Sequence, residues 1–291
     1  AEIEALATGD GKGFDRALWA HVGHVIRNGV RAALLSVTRG RLARSPVAGP
    51  TASHWRRVAW ASATFAFLAD LAMAGLGGDL KRKEKLTGRY ADVFSWLLLV
   101  TATLRRYEAD GRRSEDLPLV HWACEHGFSR IAQAMQGITR NLRVPFATIL
   151  LRGPLALWGR LNPLGHGPHD ALGGKAARTI LAPGAQRDRL TDGIAREPDP
   201  SRGLGRLEAA FVACSAAGIV LGKLKDAVKR GDLAKAPPER QLAEAVQKGI
   251  VTADDAQLVR DAEALRRAAV EVDSFSLEEY LATATKVAQH A

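Results

Sequence analysis

Apolar residues recur three and four positions apart along most of this chain, the spacing of one face of a helix. Leu18, His21, Val25, Val30 and Leu34 fit that spacing between Phe14 and Val37. A loop from Arg41 to Pro50 follows, broken by Ser45-Pro46 and Gly49-Pro50. Thr51 is placed to cap the next helix, which runs through Trp55, Val58, Ser62, Phe65 and Leu68 towards Gly77-Gly78. Leu80 to Tyr107 carries Leu86, Tyr90, Val93, Phe94, Leu97 and Leu104 on one side. Asp110-Gly111 reads as a turn. Pro118 then sits in the first turn of a helix reaching about Leu142, where its missing N–H does no harm.

The pattern changes at Val144 to Leu161, which is apolar but interrupted by Pro145, Gly153, Pro154 and Gly159. Asn162 to His169 is a Pro/Gly loop. Short helices are expected at Asp170–Leu181 and Gln186–Gly193, a linker at Arg196–Gly205, and helices at Arg206–Lys229, Glu239–Lys248 and Ala253–Val272. Thr252 suits the last as a cap, with Asp254 and Asp255 at its positive end. No strand-like alternation of useful length occurs. The fold class is therefore all-α: a four-helix bundle over residues 13–143 with additional C-terminal helices. Three regions are expected: a bundle over 1–143, an amphipathic segment with a loop and short helices over 144–195, and C-terminal helices over 196–291.

Composition narrows this. With 47% hydrophobic residues in 291, the chain has enough to bury a core. Two distant cysteines, Cys124 and Cys214, make no disulfide framework and suit a reducing compartment. Ala1 to Gly13 has no apolar core of the secretory kind. The opening Ala1-Glu2-Ile3-Glu4 already reads as helix, as in a piece of a longer polypeptide. A spanning helix needs roughly 20 mostly apolar residues; around the most membrane-like segment the uncharged run is only Val144 to Leu151, so no span is expected. The net charge of +10 suits phosphate-bearing partners such as nucleic acid, anionic lipid or CoA. It is uneven: residues 1–107 hold sixteen Lys or Arg against eight Asp or Glu, and residues 253–280 hold eight acids against three bases.

Candidate chemistry was sought in each cluster. His121-x-x-Cys124-x-His126 has metal-ligating residue types, but on a helix His126 points away from the other two, and core or cap histidines are the better reading. His21 and His24 share a helix face beside Gly23, a pattern expected of a helix-packing pair. His166 and His169 lie in a loop without a nearby nucleophile and orienting acid. Gly75-x-Gly77-Gly78 follows a helix, not a strand, so it reads as a helix stop and not a dinucleotide loop. Lys81, Arg82 and Lys83 form a basic run suited to phosphate or to an interdomain contact; nucleic acid is disfavoured because no aromatic residues interleave the charges. Arg143 to Arg160 suits a membrane surface. Phe146, Leu150, Leu157 and Leu161 cluster on one side, Arg152 and Arg160 lie toward the other, and Trp158 fits an interface. No acid occurs from Gly127 to Pro168.

Five strings, in order, resemble the bacterial long-chain acyl-CoA dehydrogenase family of fatty-acid oxidation. They are His21-Val22-Gly23-His24-Val25; Leu76-Gly77-Gly78-Asp79-Leu80-Lys81-Arg82; Asp116-Leu117-Pro118-Leu119-Val120-His121-Trp122; Arg187-Asp188-Arg189-Leu190; and Leu207-Glu208 with Val272-Asp273-Ser274-Phe275. The resemblance implies the C-terminal helical region of such an enzyme, which oxidises an acyl-CoA to the trans-2-enoyl-CoA. A glutamate takes the α-proton and FAD receives the β-hydrogen as hydride. It also implies a long-chain acyl-CoA substrate and an electron acceptor engaged by other domains, a homo-oligomer, and a cytoplasmic location with peripheral contact at the inner membrane. The family's base lies in a Glu-Gly-rich motif. Glu2 and Glu4 lack the glycine, and Glu125 and Glu208 stand in other contexts, so no catalytic or FAD-binding residue is assigned within the chain. The alternative is a basic helical module that binds anionic membrane or nucleic acid without catalysis.

Overall fold

Asp10 opens the first long helix, its carboxylate accepting from the Gly13 N–H at 2.9 Å, and α1 runs Gly11–Val37. The computed structural model describes residues 7–145, 147–195, 197–272 and 276–281. Three further long helices follow: α2, Ala52–Leu76; α3, Glu84–Ala109; and α4, Leu117–Asn141. Among the described residues there is no strand, and the protein is all-α.

The chain divides into two compact units, residues 1–179 and 180–291. In the first, α1 packs on α2, α3 packs on α4, and α2 meets both α3 and α4. Leu86, Val93, Leu97, Val100 and Leu104 of α3 point inward at helical spacing. They meet Val120, Cys124, Phe128, Ile131 and Ile138 of α4. Gly127 lets these two helices close: a Cβ there would stand 2.3 Å from Val100 Cγ2. Gly40, with φ +77, serves the turn after α1, where a Cβ would sit 2.8 Å from the Arg56 carbonyl oxygen. Beyond α4 come a short turn at Thr148–Leu150, a π-helical turn at Leu151–Leu155 that accommodates Pro154, and α5, Ala156–Leu161; the π-helical turn and α5 lie against α4, and the short turn packs on the π-helical one. The boundary expected near residue 143 thus falls inside this unit. Helix α6, Asp170–Ile180, ends it.

The second unit holds α7, Ala185–Leu190; α8, Gly203–Arg230; α9, Pro238–Gln247; and α10, Ala253–Val270. Its core joins Val220, Leu224, Ala227, Leu233, Leu242, Ala245, Val251 and Ala256. Thr252 caps α10 in a reciprocal capping box with Asp255.

Several expectations change. Thr51 makes no side-chain cap; it is buried, and its hydroxyl turns to Glu108 Oε1 at 3.3 Å. Leu18, Val30 and Leu34 keep their helical spacing but are exposed, and only Ala32 and Leu35 of α1 are buried. His21 and His24 are exposed, and His24 Nε2 meets Asn28 Nδ2 at 2.9 Å. The expected linker gives way earlier than Arg206, since α8 starts at Gly203. Among the described residues, two helical stretches, Ala52–Arg82 and Gly203–Arg230, each contain an 18-residue run apolar enough to cross a membrane, with mean hydropathy 1.4 and 1.6 over that run. The expectation of no span rested on the Val144–Leu151 run alone; these two helices meet the criterion by length and composition only. Helix α2 directs much of its apolar surface into the bundle, including Trp55, Trp60 and Leu68.

Candidate functional site

Two features of the first unit stand apart from ordinary core. One is polar. On α2, His54 and Arg57 are one turn apart; on α4, His121 and Glu125 are one turn apart; the helices bring the pairs face to face. Arg57 grips both Glu125 oxygens, the Nη2–Oε2 contact being 3.1 Å. It also donates to the Leu164 carbonyl from Nε at 3.0 Å and Nη2 at 2.7 Å, and lies 4.1 Å over the Phe128 ring. His54 Nε2 and His121 Nδ1 are 2.7 Å apart, so one donates and the other accepts. His54 Nδ1 is buried without a hydrogen-bond partner, 3.9 Å from Glu125 Oε1. The carboxylate favours a proton on that nitrogen, which makes His121 Nδ1–H the donor and His54 Nε2 the acceptor. Burial, then the neighbouring His121 and Arg57, lowers the His54 pKa to about 4 against the opposing pull of Glu125. Burial also lowers His121. Both rings are therefore neutral at pH 7.

These residues edge a cavity of 530 Å3 that also takes in Arg39, His166 and His169. Its chemistry is limited. The Cys124 thiol is fully buried and pushed up to about 12 by burial, which makes it a poor nucleophile. Ser129 donates its hydroxyl to the His126 carbonyl at 2.7 Å. His126 itself stacks on Trp122, centroids 5.2 Å apart, and meets the Trp96 ring edge-on. Among the described residues, no group of three or more His, Cys, Asp or Glu is placed to hold a metal ion. The His54–Arg57–His121–Glu125 cluster is a positioning network that ties α2, α4 and the 162–169 loop together. The sequence groups His121 with Cys124 and His126, and His166 with His169, and does not show the cluster. Its signal lay in His54-x-x-Arg57 opposite His121-x-x-x-Glu125, two polar pairs on otherwise apolar faces.

The other feature is an apolar cavity of 370 Å3 between α1, α2, α4 and α5. Gly29, Ala32, Ala61 and Ala132 leave the space, and Trp60, Phe67 and Trp158 wall it.

The surface candidates are dispersed. Lys81, Arg82 and Lys83 are exposed where the six-residue 3-10 turn Gly77–Arg82 ends; Arg82 reaches Asp79 at 3.6 Å. Leu150, Arg152, Leu157 and Arg160 are exposed. Trp158 is half-turned inward, its indole N–H donating to Ser36 Oγ at 2.8 Å. Phe146 lies outside the described residues. Two of the five strings meet in the second unit: Arg187 pairs with Glu208 through both nitrogens and lies 4.4 Å over Phe211.

Among the described residues, neither the Gly75–Gly78 stretch nor the two cavities fits a flavin. Gly75 closes on Val144, where a Cβ would stand 2.6 Å from Cγ1, and Gly77 turns at φ +48 after the end of α2; these glycines end a helix and do not follow the strand a dinucleotide loop needs. The apolar cavity is lined by no charged side chain for a pyrophosphate, and Arg57 is committed to Glu125 and Leu164.

No solved structure matches the chain. A family match covers residues 1–275, and that family is described as acyl-CoA dehydrogenase, C-terminal, bacterial type. The all-helical fold, the ordered strings and a match over nearly the full length agree: the chain belongs to the bacterial-type acyl-CoA dehydrogenase C-terminal family.

Proposed function

We propose that the chain is the helical scaffold of an FAD-dependent acyl-CoA dehydrogenase of fatty-acid β-oxidation, and that the flavin and the proton-abstracting glutamate belong to other parts of that enzyme. The bound flavin would supply the hydride acceptor; this chain supplies packing surface. The observation that carries the reading is the outer face of α1. Trp19, Ile26, Val30 and Val37 recur at helical spacing on one side, and Trp19 is 70% exposed. A stripe of this kind marks an interaction surface, and the flavin-bearing part is its proposed occupant. The chain mixed with FAD, palmitoyl-CoA and a dye acceptor should show no turnover above background. Robust dye reduction would place the chemistry here and sink the proposal. In the intact enzyme, Ile26→Asp with Val30→Asp should loosen the scaffold and lower the thermal midpoint. Sedimentation of the same enzyme tests the homo-oligomer.

A peripheral membrane contact is supported by a second observation. Ile149 is 86% exposed and Leu150, Leu157 and Leu161 are also outside, with Arg152 and Arg160 exposed nearby. Apolar residues beside cations suit an anionic headgroup layer. Co-sedimentation with phosphatidylglycerol vesicles should fall when Leu157 and Leu161 are both changed to Asp. Retention on DNA instead of vesicles would favour the basic-module alternative.

A further inference from the structure

The scaffold role does not account for the 370 Å3 cavity. It is a half-open apolar cleft: Ala33, Val37 and Trp158 of its lining are exposed, and Ala32, Ala61 and Ala132 are buried. Here small residues from three helices, Gly29, Ala32, Ala61 and Ala132, meet where larger ones would close the gap. No charged side chain lines the space. Of the polar side chains that do, Ser36, Thr64, Thr139 and Asn162 are engaged within the protein, and Gln136 makes one long contact, its Nε2 donating to the Gly159 carbonyl at 3.5 Å. Ser36 Oγ accepts from Trp158 and the Ser36 carbonyl accepts from Asn162 Nδ2 at 2.8 Å. Thr64 and Thr139 donate to the carbonyls of Trp60 and Gln136. A ligand seated here is offered surface and few hydrogen bonds, which selects hydrocarbon over sugar, nucleotide or peptide.

Size and one cation narrow the class. An apolar cavity of about 150 Å3 takes benzene, so 370 Å3 holds on the order of a dozen carbons on the same scale. At the rim, Arg39 donates from Nε to Asn162 Oδ1 at 2.8 Å, and Asn162 lines the apolar cavity. Arg39 itself edges the adjoining polar cavity, which shares Trp60 and Leu164 as walls. We propose that this cavity binds a single aliphatic chain bearing an anionic head, the chain between α1, α2, α4 and α5 and the head at Arg39. A fatty acid, an acyl thioester of CoA and a phospholipid share this chemistry. The proposal does not rest on dehydrogenation, since a chain without turnover would still bind.

The test titrates the 291-residue chain with dodecanoate below its micellar concentration. It is followed by calorimetry and by fluorescence of Trp60 and Trp158, which wall the cavity. One-to-one saturation is expected. Ala132→Leu and Ala33→Phe should each weaken binding about tenfold or more by filling the space. Ala33 stands at the exposed rim, so its variant keeps the test open if the buried Ala132 variant does not fold, as judged by circular dichroism. Arg39→Gln should weaken dodecanoate about tenfold and leave dodecan-1-ol unchanged. Dodecanoyl-CoA and phosphatidylglycerol vesicles run as parallel arms; the arm bound most tightly and most sensitive to Ala33→Phe identifies the source. No saturation by the folded chain, or binding that neither filling variant alters, overturns the proposal.

Discussion

His54 shows how one buried ring sets a pH dependence. Its folded pKa of about 4 lies below the ordinary 6.5, so the unfolded chain binds a proton that the folded chain refuses between those values. The contribution to stability is therefore complete above pH 6.5 and is lost as pH falls toward 4. At 1.36 kcal/mol per pH unit this ring alone accounts for up to about 3 kcal/mol, and His121 titrates in the same direction. Glu125, Arg57, His121 and Phe128 face the ring. His54→Gln should flatten the decline of the urea midpoint between pH 6.5 and 4; an unchanged slope would contradict the assignment. Arg57→Ala leaves Glu125 without its partner and the Leu164 carbonyl without both donors. Because the pair is partly exposed, the expected loss is about 2–3 kcal/mol, short of a fully buried pair, read from urea unfolding. The cluster was only half legible in the sequence. The spacing of each pair on its own helix could be read, but not that the two helices face each other at that level.

Among elements, the α3–α4 contact depends on a missing side chain. Gly127→Ala would put a methyl 2.3 Å from Val100 Cγ2, and Val100 is stiff at χ1. A loss of about 1–3 kcal/mol is expected, with partial recovery in Gly127→Ala/Val100→Ala. A simple additive loss in the double variant would show that the methyl and Val100 do not collide. In the second unit the Thr252–Asp255 capping box holds the start of α10. Thr252→Ala should cost about 1 kcal/mol, seen as a lower thermal midpoint. Thr252 and Thr51 looked alike as caps in the sequence. Thr252 faces solvent, so its hydroxyl serves the helix end; Thr51 is buried against Glu108 and its hydroxyl turns there.

For the molecule as a whole, charge and apolar exposure act together. The net charge is +10, and apolar side chains stay outside on α1, on the 148–161 segment, and on α8 at Leu207, Val212 and Ile219. Binding to anionic vesicles should weaken as salt rises from roughly 50 to 500 mM, since the Debye length shrinks across that range. A salt-insensitive residue of binding measures the apolar part, and Leu157→Asp with Leu161→Asp should remove it. Vesicle binding that ignores both salt and these substitutions would exclude the 148–161 segment as the contact.

Helical period, caps, turn glycines and family strings are local properties of the chain, so the sequence by itself determined the all-α class, most helix positions and the family. What lies opposite what is not local. Which residues of α1 turn inward was decided by its packing on α2, where Ala32 and Leu35 are buried and Val30 and Leu34 are not. The Arg57–Glu125 clasp joins residues 68 positions apart, and the apolar cavity exists only where small residues of three helices meet. Tertiary packing alone decided these, because side chains select partners across helices by size and charge, and a one-dimensional pattern records the period of a face but not its neighbour.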